Sequence, residues 1–174
     1  MNKLRILDQK NYTDDMPVIE RYSVRGIIVR DGRIAMQRGG EGQYKILGGG
    51  MDTGETFEQT LIREIREESG LIVIPDSIIE IGEIEEKRQD RFEHEKIYHC
   101  HSIFFFCDAR EEMAETSMTT SEIEKGFHLE WAAPEEIISG NQKFTDHPWI
   151  DRDTVFVRML FEGQFESIRH IDWK

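Results

Sequence analysis

Residues 49–71, GGMDTGETFEQTLIREIREESGL, constrain the fold more tightly than any other stretch of the chain. Phe57, Leu61 and Ile65 recur at four-residue spacing and form the apolar stripe of a helix that docks on a core. Residues three and four apart share a helix face, so Glu64, Glu67 and Glu68 project together to the other side. Thr56 and Gln59 match a capping box, and Gly70 stands where a left-handed residue would end the helix. Glycines lead in, and their backbone permits close approach of a ligand. Three carboxylates on one face repel unless a cation sits among them, and all-oxygen ligation suits Mg²⁺ or Mn²⁺. The plainer alternative is a solvated acidic helix laced with i,i+4 pairs such as Arg63–Glu67.

The spacing adds what periodicity does not. From Gly49 the chain runs five residues to Glu55, seven more to Arg63-Glu64-Ile65, one to Glu67-Glu68 and one to Gly70-Leu71. This resembles the Nudix box, G-x5-E-x7-R-E-U-x-E-E-x-G-U with U a bulky aliphatic, at every constrained position. The resemblance softens over the flanks, from about residue 20 to 139, and fades in the first 19 residues and at the C-terminus. One departure is visible: the family often has Pro before the glycine pair, where Leu47 and Gly48 stand here, which should loosen the loop entry slightly.

The resemblance implies an α/β fold, a Nudix-type α/β/α sandwich with a mixed sheet. It also implies Mg²⁺-dependent hydrolysis of a nucleoside diphosphate linked to another moiety, with Mn²⁺ as a substitute. Carried over by position, the metal ligands are Glu64, Glu67 and Glu68, with a loop carbonyl at Gly48 or Gly49 as a further ligand. Glu64 is the first choice of base, and Glu124 or its neighbour Glu122 is a loop acid that would join the site. Glu55 and Arg63 form a mutually supporting pair. The rival is a catalytically silent member of the same fold that binds or senses a nucleotide, although such a module would be expected to lose box carboxylates, and all are present here.

Specificity is less legible, because it lives in flanking loops. Arg25, Arg38 and Lys45 are candidates for contacting substrate phosphates; Arg88, Arg91 and Lys96 could act likewise, with Phe92 and Tyr98 for base stacking. Each is also an ordinary salt-bridge or packing residue. Thirty-five acids against 22 bases give a net charge of −13, which argues against a nucleic-acid polymer or an anionic membrane as partner. An anionic substrate would therefore need metal ions and a local basic lining. No signal peptide is evident in the first residues, and the run Ile103–Cys107 is too short to span a bilayer, so the expected location is the cytoplasm. A homodimer stays open.

A chain of 174 residues suits one domain, expected over 20–174, with residues 1–19 as a leading strand or arm. Asp31-Gly32 reads as a two-residue hairpin turn between strands at 22–30 and 33–38, followed by a short strand at 44–47. Strands are expected at 78–87, 96–108 and 127–132, a mobile acidic loop at 109–126, and helices beginning at Pro134 and near Pro148. In the last of these, Asp146 or His147 would cap, and Val155, Met159 and Leu160 would face the core. Cys100 and Cys107 lie seven apart in one strand, hence on opposite faces and too distant to bridge. His99 and His101 flank Cys100 and share a strand face, a pattern compatible with a soft-metal site and equally with ordinary surface or core residues.

Overall fold

The computed structural model describes residues 1–174. In chain order its elements are β1 (Lys3–Asp8), β2 (Val18–Ile27), β3 (Val29–Arg30), β4 (Arg33–Arg38), β5 (Tyr44–Ile46), α1 (Phe57–Ser69), β6 (Leu71–Val73) and β7 (Ile79–Gln89). There follow β8 (Ile97–Phe106), β9 (Ala109–Met113), α2 (Thr120–Glu124), β10 (His128–Ala132), α3 (Pro134–Asn141) and α4 (Pro148–Phe161). One sheet has the order β1-β7-β8-β2, in which β7 and β8 are antiparallel while β1 on β7 and β2 on β8 are parallel. A second, antiparallel sheet has the order β10-β4-β3 with β5 also on β4, and β6 and β9 form a separate two-stranded ribbon.

The apolar run near the end of β8 explains the layering. Successive strand side chains point to opposite faces, and here both faces are covered. Ile103 and Phe105 enter a core with Leu61 and Ile65 of α1, whereas Phe104 and Phe106 enter another with Phe156, Val157 and Leu160 of α4. Phe104 stacks on Phe156 with ring centroids 4.0 Å apart. Helix α1 therefore covers one side of the mixed sheet and α3 with α4 the other, an α/β/α sandwich.

Local signals hold where they rest on backbone chemistry. Thr56 caps α1 reciprocally with Gln59, and Gly70 closes it at φ 76°. Asp31 and Gly32 take φ 48° and 68°, the paired left-handed values of a tight hairpin turn. The N-terminal arm is strand β1, seated on β7. Both cysteines are buried and free, and Cys100 turns toward Ser23 and Ser102, away from its flanking histidines.

Three expectations are corrected. Residues 109–126 carry β9 and α2 in place of a structureless loop, because Leu71 and Val73 pair with Met113 and Ala109, and Ala114 and Ser117 donate to the carbonyls of Gly70 and Glu67. The segment thus satisfies acceptors at the end of α1. His147 is the N-cap of α4 but makes no side-chain cap, and the buried seam of that helix is Ile150, Phe156, Val157 and Leu160, with Val155 and Met159 only partly buried. The entry to the glycine loop is pinned: Leu47 is fully buried, and its carbonyl and that of Gly49 accept the N–H groups of Gly26 and Val24.

Candidate active site

The glycine loop owes its path to β2. Gly48 has φ +132°, and a Cβ there would overlap the Val24 carbonyl, so only glycine lets the loop run this close to the strand. A Cβ on Gly49 would instead overlap the Glu64 carboxylate, which lies directly against the loop. Loop and helix are thus in contact through the backbone of one and an acid of the other.

Arg63 organises this contact. Its Nε donates to Glu55 Oε1 at 2.6 Å and its Nη2 to Glu55 Oε2 at 2.8 Å. The same guanidinium reaches Glu64 at 2.7 Å, Glu67 at 3.3 Å and the Gly50 carbonyl at 3.2 Å. Glu55 also accepts from the Asp52 N–H and the Thr60 hydroxyl. These donors, Arg63 first, hold the Glu55 carboxyl down at about 2, while Glu55 in turn raises Arg63. Glu55 and Arg63 together tie the loop to the helix, as their spacing anticipates.

The three helix carboxylates differ in environment. Glu67 is 40% exposed and Glu64 17%, whereas Glu68 is 3% exposed. Glu68 receives Lys45 Nζ at 2.5 Å on one oxygen and the Gly48 N–H at 2.8 Å on the other. Burial pushes its carboxyl upward even against the Lys45 charge. Glu64 accepts from Arg63 through Oε1 and turns Oε2 to Gly49. This is an all-oxygen donor set, the kind a hard dication takes.

The remaining expected residues are distributed unevenly. Lys45 lies among Glu68, the Gln37 amide at 3.2 Å and Glu122 at 3.8 Å. Glu122 is drawn toward the helix: although burial acts the other way, the N–H and hydroxyl of Thr119 and the Lys45 charge hold its carboxyl below the usual range. Glu124, in the same short helix, points to solvent. The Gly49 carbonyl already accepts the Val24 N–H at 3.0 Å. Arg25 is buried and donates to the Gly48 carbonyl; burial first, and then the Arg152 charge, lowers its guanidinium.

Arg38 is not part of this assembly. It pairs with Glu130 at 2.8 Å in a cleft of 760 Å³ between Arg38–Gly42 and His128–Lys143 that touches neither α1 nor its loop. A smaller cleft, 560 Å³, adjoins the loop directly and is lined by Gly50–Gly54, Arg21, Arg25, Tyr22, Tyr98 and Arg152. Arg88 and Arg91 line a third cleft, and Phe92 is 92% exposed. Sequence reasoning missed Arg152, whose helix carries no phosphate-binding pattern. It is 3% exposed, donates to Glu86 at 3.0 Å, and is held up by Asp153 and Glu86 despite its burial. Arg25 Nε is buried without a hydrogen-bond partner, and Arg152 Nη2, buried too, lies 2.8 Å from Asp153 Oδ1 in an ion pair.

The NUDIX domain matches residues 20–155. No curated protein matches the sequence. Among solved structures, a NUDIX hydrolase from Nitrosomonas europaea is similar at TM-score 0.60 and 16% identity, covering 82% of this chain and 90% of its own. A MutT NUDIX hydrolase from Burkholderia pseudomallei is similar at 0.52 and 21%, covering 67% and 85%. A UDP-X diphosphatase is similar at 0.54 and 16%, covering 84% and 64%. At such identities these likenesses establish the fold. No helix is long and apolar enough to cross a membrane.

Proposed function

The chain belongs to the NUDIX family of hydrolases, and from that premise we propose that it is a Mg²⁺-dependent pyrophosphohydrolase acting on a nucleoside diphosphate linked to another moiety. The observation that carries the proposal is the assembly of Glu64 against Gly49, with Arg63 joining Glu55, Glu64 and Glu67. A solvated acidic helix would have no need of a buried Glu68 or of a loop fixed against its carboxylates. Glu64, Glu67 and Glu68 would hold the dication, Glu67 from the exposed side and Glu68 from the buried side, with the Gly49 carbonyl a further candidate. When bound, such a cation supplies positive charge against phosphate oxygens and makes water more acidic.

The protein's own share is positioning and proton transfer. Glu64 would accept the proton of the attacking water as its oxygen adds to phosphorus. The anhydride P–O bond then breaks, and the leaving oxygen departs with the bonding pair. Arg25 and Arg152 line the cleft beside the loop, and Arg25, which donates to the Gly48 carbonyl and pairs with no carboxylate, would favour an anion there. Tyr22 and Tyr98 of the same cleft offer aromatic surface to the linked moiety. The similar UDP-X diphosphatase motivates including nucleotide sugars among the substrates tried.

Phosphate and nucleoside monophosphate release should be measured over nucleoside triphosphates, nucleotide sugars and dinucleoside polyphosphates, with Mg²⁺, Mn²⁺, Ca²⁺ or excess EDTA. Cleavage of at least one class with Mg²⁺ or Mn²⁺, poor support by Ca²⁺ and silence in EDTA are expected. Full activity in EDTA, or none on any class, would overturn the proposal.

A further inference from the structure

On the sheet face beyond the start of α1, three adjacent strands bring together two histidines and three glutamates. The register places His99 of β8 beside Glu20 of β2, and His101 beside Glu85 of β7. His99 Nδ1 lies 3.1 Å from Glu20 Oε1, and His101 Nε2 lies 2.9 Å from Glu20 Oε2. The opposite nitrogen of each ring meets another acid: His99 Nε2 contacts Glu85 at 3.1 Å, and His101 Nδ1 contacts Glu83. Both imidazoles and both of these acids are mostly shielded, at 11–18% exposure, whereas Glu20 is 49% exposed.

Two neutral imidazoles cannot supply a proton to all four of these carboxylate contacts. A neutral imidazole has one N–H and one lone pair, and a carboxylate has no donor. If His99 Nε2 and His101 Nδ1 carry the protons, they satisfy Glu85 and Glu83. Two ring lone pairs then face the Glu20 carboxylate at hydrogen-bonding distance with no proton to share. The far carboxylates hold each ring in the orientation that aims its free lone pair inward, the way outer partners support metal-ligating histidines. Ligands about 2.1 Å from a tetrahedral zinc lie roughly 3.4 Å apart; here the two Glu20–histidine contacts are 3.1 and 2.9 Å, and all three ligand atoms lie within 4.8 Å of one another. We propose that Glu20, His99 and His101 form a cation site distinct from the helix carboxylates, built for a first-row transition-metal dication, with Glu83 and Glu85 orienting the two imidazoles.

Two imidazoles with one carboxylate favour zinc, iron, nickel or copper over Mg²⁺ and Ca²⁺, which take oxygen ligands. The exposure of Glu20 gives the ion an open side. Tyr22 stacks on His101 at 4.8 Å and lies 6.5 Å from Phe57, the first residue of α1. The ion would thus sit near the cleft without entering the helix cluster.

Zinc is the probe, and the protein is chelator-stripped, then kept in excess Mg²⁺ so that the helix carboxylates are occupied. Imidazole ¹⁵N spectra near neutral pH should show one equivalent of zinc moving His99 Nδ1 and His101 Nε2 to metal-bound shifts, with the other two nitrogens still protonated. His99→Gln and His101→Gln should each weaken zinc binding by at least the roughly 10–100-fold that loss of a mere supporting partner costs. Glu67→Gln should leave it unchanged. Rings that are doubly protonated before zinc and unmoved by it would overturn the proposal, since protons would then fill the gap. Zinc affinity unchanged in the His99→Gln, His101→Gln double variant would overturn it equally. Should either variant fail to fold, the wild-type spectra alone decide.

Discussion

Arg63 grips Glu55 through two parallel hydrogen bonds, Nε to one carboxylate oxygen at 2.6 Å and Nη2 to the other at 2.8 Å. Only a planar guanidinium presents this fork. Arg63→Lys keeps the charge and loses the geometry, so the loop should shift against the helix. Turnover should fall by about 10–100-fold, as for other partners that orient a metal site. Wild-type kinetics in the Arg63→Lys variant would show that charge alone suffices.

The same pair has an acid signature. Glu55 titrates at about 2 when folded, against an ordinary 4.5. A depressed carboxyl contributes stability above its unfolded value and loses it as pH falls through the folded one. The stability gap between wild type and Glu55→Gln should therefore be constant from neutrality to near 4.5, shrink below that, and close near 2. Melting curves across this range test it; a gap that stays constant from 4.5 down to 2 would mean that the fork is not formed in solution.

Gly48 and Gly49 should respond differently to the same methyl group. At Gly48 the added Cβ meets backbone at φ +132°, so Gly48→Ala should destabilise the fold by at least about 1–3 kcal/mol. At Gly49 it meets only the carboxylate end of the Glu64 side chain, which a change of rotamer can displace. Gly49→Ala should melt close to wild type and lose turnover through the displaced carboxylate. Equal melting temperatures for the two variants would contradict this.

The parts that were legible in sequence are those decided by near neighbours. The caps of α1 and the Asp31-Gly32 turn depend on residues within a few positions, and the box spacing identifies the clamp and the carboxylate face. What stayed hidden depends on distant partners. The acidic stretch 109–126 has composition typical of solvated loops, yet its order comes from Leu71, Val73, Gly70 and Glu67. Lys45 precedes the glycines and so resembles a phosphate contact, but a one-dimensional pattern does not reveal that the Glu68 carboxylate arrives beside it. Glu122 and Glu124 are two residues apart in sequence, and only the direction of a five-residue helix separates them.

Glu67 and Glu68 are neighbours whose loss should read differently. Glu68 is buried on Lys45, and Glu68→Gln leaves that ammonium without its ionic partner, costing about 1–3 kcal/mol of stability along with activity. Adding Lys45→Met should recover much of the stability and none of the activity. Glu67→Gln, half in solvent, should lower metal affinity and turnover with melting unchanged. Thermal melts and Mn²⁺ titrations on wild type and these three variants separate what Glu68 adds to stability from what both acids add to holding the cation.

The choice of base can be settled by comparing three acids. Glu64 is fixed on a helix, pressed on Gly49 and oriented by Arg63, so it has a defined reach to a substrate in the loop-side cleft. Glu64→Gln should lower turnover by about 10²–10⁴-fold with little change in KM, and the acidic limb of the pH–rate profile should vanish with it. Glu124 points to solvent, so Glu124→Gln should be near wild type. Glu122 stands beside Lys45 and is held ionised by Thr119, so Glu122→Gln should act modestly, through the Lys45–Glu68 pair. A loop acid can still be drawn in when substrate closes a site. If the acidic limb survives in Glu64→Gln and vanishes in Glu122→Gln or Glu124→Gln, that loop acid takes the proton and Glu64 serves the cation alone.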